Sequence, residues 1–350
     1  MSQPHDGHRT FLPFGNPFRM IFPKRSYLSP ELVALRTSFE QTLAESLRKL
    51  KPKDISDICS LSWLRHAMSF LSETHNNIKS LITDLELPVS HWQEKWIDIY
   101  LDSSIKLLDI CTAFSSELSR LDQGQVLLQY LLHALNSSRD SSQQVKKTET
   151  TLSEWMQQIE SRSPKLEDCF SILQGLAGTV YSSKIKNSDK GKVLMRALYG
   201  VKVVTVFVCS VLTSVLSGCS KPLITLVVPN KYLWAEAFND LQADVLKENI
   251  SHISREKATV LRELGAVENC VKRLCALINT VDEKEEEMWH DSVSELAEAA
   301  KLLSLGLDDL SKQVDDFFRI VLMGRDALLS NLRVSDDVTM QESGDEVARV

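Results

Sequence analysis

Between Val203 and Ser220 the chain runs for eighteen residues without a charge, VVTVFVCSVLTSVLSGCS, in a protein that is otherwise 25% charged. Such a stretch has two physical outcomes: it crosses a bilayer, or it becomes the most buried helix of a bundle. Nine of its residues are Val, Leu or Phe, each worth roughly −0.3 to −0.6 kcal/mol towards insertion. The hydroxyls of Thr205, Ser210, Thr213, Ser214 and Ser217 oppose insertion. On a helix, Ser210, Thr213, Ser214 and Ser217 fall at i, i+3, i+4, i+7 and form a stripe of small residues that lets a neighbour approach closely. The residues expected to make either the span or the core are Val203, Val204, Phe207, Val208, Val211, Leu212, Val215 and Leu216. The β-branched valines would also suit a strand. The reading favours a buried central helix, 193–219, over a membrane span.

A basic run precedes this stretch: Lys184, Lys186, Lys190, Lys192, Arg196 and Lys202, against the single acid Asp189. Such a run is a candidate contact for a membrane or another anionic surface, and more often simply a solvated face. If 203–220 spans, these cations place its amino side in the cytoplasm. The net charge of −7 gives the whole molecule no nucleic-acid footprint.

Few glycines and prolines, and long stretches rich in Leu, Ala, Glu, Lys, Gln and Ser, predict an all-α protein. The expected architecture is an elongated antiparallel bundle of long amphipathic helices over 29–335. An extended arm, 1–28, precedes it and a disordered acidic tail, 336–350, follows. Seven cysteines contain no CxxC pair and read as reduced, buried thiols. No secretory signal opens the chain. Low acidity at the start fits a plastid transit peptide, but the usual serines are scarce. The expected location is cytoplasmic or at an endomembrane, the endoplasmic reticulum included, ahead of the plastid.

The arm holds FLPFGNPFRMIFPK, where Pro13, Pro17 and Pro23 forbid a regular helix. It either packs across the bundle or docks a partner through Phe11, Phe14, Phe18, Arg19, Phe22 and Lys24. Ser29-Pro30 starts the first helix, and Pro52 stops it. Asp54 is the expected cap of a second helix, with His75 on its apolar stripe as a hydrogen-bonded interior residue. Ser90 caps a third, with a kink expected at Gly124. The Ser-, Gln- and Lys-rich segment 136–151 reads as a surface loop. Short helices follow around Trp155 and around Phe170, the latter weakened by Gly175 and Gly178. An apolar, strand-like run, 223–228, lies between Pro222 and Pro229, then Asn230 caps a helix near Trp234, and another spans 256–279. The last helix carries the clearest periodicity: Val293, Leu296, Ala300, Leu303, Leu307, Leu310, Val314, Phe317 and Val321 alternate steps of three and four. This seam serves an intramolecular bundle contact in preference to a dimer.

Sites for chemistry are scarce. No Gly-rich phosphate loop, H-E-x-x-H, zinc spacing or G-x-S-x-G elbow occurs. No cofactor, metal, catalytic residue or small-molecule ligand is expected, and the partners expected are other proteins.

Five blocks in order carry a family resemblance: FLPFGNPFRMIFPK (11–24), KLKPKD (49–54), ETHNNIKSLITDLELPVSHWQEKWIDIYLD (73–102), KGKVLMRALYGVKVVTVFVCSV (190–211) and GRDALLSNLRVSD (324–336). Through them the chain resembles the plant BYPASS family over nearly its whole length. The resemblance implies a non-enzymatic developmental regulator, required for normal root and shoot growth. Such proteins prevent constitutive production of a mobile, root-derived signal that arrests the shoot. It carries over no catalytic residues. Connections of relatives with vesicle trafficking and stress responses imply an adaptor as the alternative, and an enzyme of signal-precursor metabolism with an unfamiliar site stays open beside both.

Overall fold

The computed structural model describes residues 28–86, 95–136, 142–161, 164–179, 188–218, 223–254, 260–278 and 283–347, with side chains at all of these except 95, 136, 142–145, 248–254, 283–287 and 331–347. The described residues are helical throughout apart from short connections, and no strand occurs among them. In chain order the helices are α1 (Pro30–Leu50), α2 (Leu61–Asp84), α3 (Lys95–Asn136), α4 (Ser142–Glu160), α5 (Pro164–Gly178), α6 (Asp189–Ser217), α7 (Ala235–Ser254), α8 (Arg262–Leu277) and α9 (Glu283–Val347). The candidate docking arm, Phe11 to Lys24, lies outside the described residues, as do Lys184 and Lys186.

Local chemistry explains most boundaries. Ser29 accepts the Leu32 amide and Pro30 opens α1, as the sequence predicts. Asp54 caps a short 3₁₀ turn, Ile55–Cys59, and not the second helix. The cap of α2 is Ser60, whose hydroxyl accepts the Trp63 amide. No break occurs at Gly124, because α3 is continuous. A Cβ there would sit 3.3 Å from Ile159 and 3.5 Å from the Trp155 indole nitrogen, so the glycine is a notch for α4. The expected loop 136–151 is also shortened, since α4 begins at Ser142. Its inward positions include Thr148 and Thr151, buried ahead of Leu152 and Trp155, which hides the apolar period. Asn230 lies in a turn and α7 starts after Trp234. The run 223–228 is coil, clamped at Leu226 by both ends of the Gln242 amide (2.9 and 3.0 Å). Residue 256 lies outside the described set, and α8 begins only at Arg262.

Two helices organise the packing. Along α9 the seam residues Val293 to Val321 are all buried, against α2, α3 and α8. Gly306 lets α9 close on α2, where a Cβ would come within 2.6 Å of Leu61. Arg325 donates to the Leu101 carbonyl (3.0 Å), and Asp315, earlier in α9, faces Cys111, later in α3, so the two helices run antiparallel. The His75 ring meets Phe317 edge-on at 4.9 Å, so α2 and α9 run parallel. The bundle therefore mixes parallel and antiparallel pairs. The backbone of α9 stays helical to Val347, through most of the stretch 336–350 expected as a tail.

The second organiser is α6, contacted by α1, α2, α3, α5 and α7. Ser188 caps its start, and Gly218 ends it in the left-handed region at φ 59°, a conformation that favours glycine. The helix is thus longer at its amino end than the expected 193–219 and stops two residues earlier. Every residue from Val203 to Leu216 is buried. It is long and apolar enough to cross a membrane, yet 89% of its most apolar window is covered by the protein's own helices.

Candidate functional site

The basic run does not form one face. At 100° per residue only Lys192 and Arg196, at i and i+4, fall on one side of the helix, and Lys190 and Lys202 turn away from them. Lys190 donates to the Glu86 carbonyl (3.1 Å) at the end of α2, and Lys192 pairs with Asp189 (2.7 Å). Lys202 donates to the Thr179 hydroxyl (2.7 Å), while burial and then Lys106 hold its pKa below the usual lysine range. Arg196 turns inward. Its guanidinium bonds both oxygens of the buried Glu40, donates to the Lys231 carbonyl (2.7 Å) and lies 4.4 Å from the Tyr232 ring centre. Glu40 also accepts the Leu233 amide (2.9 Å). Tyr199 stacks on Tyr232 at 4.8 Å, and Trp234 closes the cluster. Arg196 is therefore a structural link between α1, α6 and the turn before α7, and of the described cations in the run only Lys192 is exposed.

The apolar residues Val203, Val204, Phe207, Val208, Val211, Leu212, Val215 and Leu216 all lie in the core. Their hydroxyl neighbours need no partner helix to be satisfied. Thr205, Ser210 and Thr213 donate back to the carbonyls of Val201, Phe207 and Cys209, each at 2.7 Å. Because Thr205 spends its proton on Val201, the 3.1 Å contact with His75 requires the imidazole Nε2 to donate. Burial pushes the His75 pKa down to about 4, so the ring is neutral. Together with Lys202, this pair borders a largely apolar cavity of 60 Å³ between α2, α3, α5, α6 and α9.

A larger cavity, 240 Å³, lies at the carboxyl end of α6 between α3, α4 and α8. Leu121, Trp155, Ile159, Leu216 and Leu264 supply apolar wall. The buried Glu117 and the half-buried Arg120 supply its polar wall. Arg120 Nε donates to both Glu117 oxygens (3.0 and 3.1 Å), and a further N–H donates to the Gln158 carbonyl (2.5 Å). Glu160, Glu167 and Glu268 border the opening. An open groove of 650 Å³ also runs along α2, α8 and α9, past the exposed Leu302 and Leu305.

Neither enclosed cavity pairs a nucleophile with a base. His75 is committed to Thr205. Burial pushes the Cys111 and Cys169 thiols up to about 12, far from the reactive thiolate range. Among the described residues no group of three His, Cys, Asp or Glu is placed to hold a metal ion. Sequence reading missed Glu40 because its partner is 156 positions away. Glu117 and Arg120 carry an i, i+3 signal, but that spacing ordinarily marks a surface pair.

What fold and site define is a class of all-α proteins whose helices meet through an apolar core, with a few ion pairs such as Arg196–Glu40 between them. Within it the chain belongs to the ROH1-like family, whose profile, described as Protein ROH1-like, matches residues 25–168 and 171–332. It is 47% identical to Protein BPS1, chloroplastic, of Arabidopsis thaliana, over 99% of this chain and 98% of that protein. It is 42% identical to UPF0496 protein 4 of Oryza sativa subsp. indica, over 96% of this chain and 98% of the relative. The BYPASS membership read from the five sequence blocks holds. No solved structure matches.

Proposed function

We propose that this protein is a non-enzymatic regulator of plant development that acts through contacts with other proteins. In that role it prevents constitutive production of the root-derived mobile signal that arrests shoot growth. One observation carries the reading: the 47% identity to the Arabidopsis BPS1 protein extends over essentially the full length of both chains. The test is expression of this chain in Arabidopsis plants lacking BPS1. Restored shoot growth is expected; unrestored growth with the protein accumulating normally would overturn the proposal.

The described cations favour protein contact over an anionic surface, since Lys190 is bonded to the Glu86 carbonyl, Lys192 is paired with Asp189 and Arg196 is engaged with Glu40. That leaves the arm, 11–24, as the segment to test first. Deleting it should remove recovered partners without reducing helical content, and unchanged partners would reduce the arm to packing. The competing reading, an enzyme of precursor metabolism, requires polar groups converging on a deep pocket. The Glu117–Arg120 pair, spent on each other, offers it little.

For location we propose the cytoplasm or an endomembrane surface, with α6 kept inside the bundle. The word "chloroplastic" in the name of the Arabidopsis relative supports the plastid instead. Fractionation with a carbonate wash decides both points. Recovery in plastids overturns the first, and retention in washed membranes overturns the second.

A further inference from the structure

The 240 Å³ cavity has a chemistry that the reading above leaves unused. Its charges are lopsided. Glu117, Glu160, Glu167 and Glu268 line it, against Arg120 as the one cation among the lining residues. Both Glu117 oxygens already neutralise that guanidinium. Glu268 shares its charge with Lys272 at 2.6 Å, but among the described lining residues Glu160 and Glu167 have no such cation. The last turn of α6, Val215 to Gly218, also lines the space. A helix carries the equivalent of about half a negative charge at that end. Cap and carboxylates therefore reinforce one another.

The remaining wall is apolar and includes a tryptophan. Trp155, Met156, Ile159 and Leu264 give a surface suited to a hydrocarbon or aromatic body. The volume equals roughly eight waters at about 30 Å³ each. An ion of a few atoms would leave the space unfilled, and a folded partner would not enter. A divalent metal is disfavoured because no three ligating side chains come together there among the described residues.

We propose that this cavity binds a small organic monocation, an ammonium group on an apolar or aromatic body of roughly eight to twelve non-hydrogen atoms. The ammonium sits towards Glu160, Glu167 and the end of α6, and the body lies along Trp155 and Leu264. This is a ligand site that neither composition nor motif predicts, and it is independent of the developmental role.

Calorimetric titration of the full chain with phenethylamine and with phenylacetate tests it, because the two share a body and carry opposite charge. Phenethylamine should bind one to one, at least about tenfold tighter than phenylacetate. The double variant Glu160→Gln/Glu167→Gln alters exposed positions and keeps the fold; it should weaken the amine about fivefold. Ser217→Phe, which fills the space, should abolish binding with the helical signal unchanged. Equal or tighter phenylacetate binding, no amine binding up to about 10 mM, or an unaltered double variant would each overturn the assignment.

Discussion

The amino side of α6 and its last turn belong to one continuous helix and differ in their surroundings. On the amino side the described charges find partners, and the space left beside Leu198 to Val206 is only 60 Å³. Arg196 is fastened to Glu40 and Tyr232, and at Gly200 a Cβ would already sit 3.1 Å from Leu43 and 3.4 Å from Trp234. At the carboxyl end the helix stops at a left-handed glycine beside 240 Å³ of space and several carboxylates that only partly find cations. Paired charge and filled volume belong to a region that sets the fold. Unmatched charge and open volume at the end of the same helix belong to one that receives something.

That contrast can be broken by substitution. The largest effect should come from Phe207→Ala, which empties a position buried against Phe238 at 5.3 Å and should cost about 3–5 kcal/mol in denaturant unfolding. Arg196→Ala leaves Glu40 buried without its cation and should cost about 3 kcal/mol, the low end for such a pair because Arg196 keeps some solvent contact. A loss below about 1 kcal/mol would mean that water replaces the guanidinium. Gly200→Ala should cost about 1–2 kcal/mol by overpacking. Ser217→Phe, a far larger addition at the opposite end, should change stability by less than about 1 kcal/mol. Equal losses at Gly200 and Ser217 would erase the contrast.

Acid sharpens the same comparison, since the amino-side core holds the neutral His75 between Thr205 and Phe317. Its folded pKa, about 4, lies below the unfolded 6.5. The unfolded chain therefore binds the proton first, and stability is lost as pH falls from 6.5 towards 4. Integrated over that window the loss approaches about 3 kcal/mol. His75→Gln should flatten this part of the stability profile. An unchanged slope would assign it to other groups.

How much of this was legible follows from where the signals lie. The α9 seam could be read directly because apolar residues occupy every inward position from Val293 to Val321. His75 was placed correctly for the same reason, by its stripe. The start of α4 was not, because threonines fill its inward positions at 148 and 151. Gly124 signals a close approach as readily as a kink, and only the facing Trp155 and Ile159 distinguish the two. The basic run looked like a surface because its order along the chain conceals the turn of the helix. Glu40, which draws Arg196 inward, is remote in sequence. The cavity had no local signature at all, since its carboxylates come from α3, α4, α5 and α8.

Burial of α6 by the protein itself is the claim on which the others stand. Hydrogen exchange on the full chain, purified without detergent, tests it most directly. The account predicts that amides from Val203 to Leu216 are among the last to exchange, together with the α9 seam. Rapid exchange across 203–216 in water, with protection only when lipid or detergent is added, would contradict it.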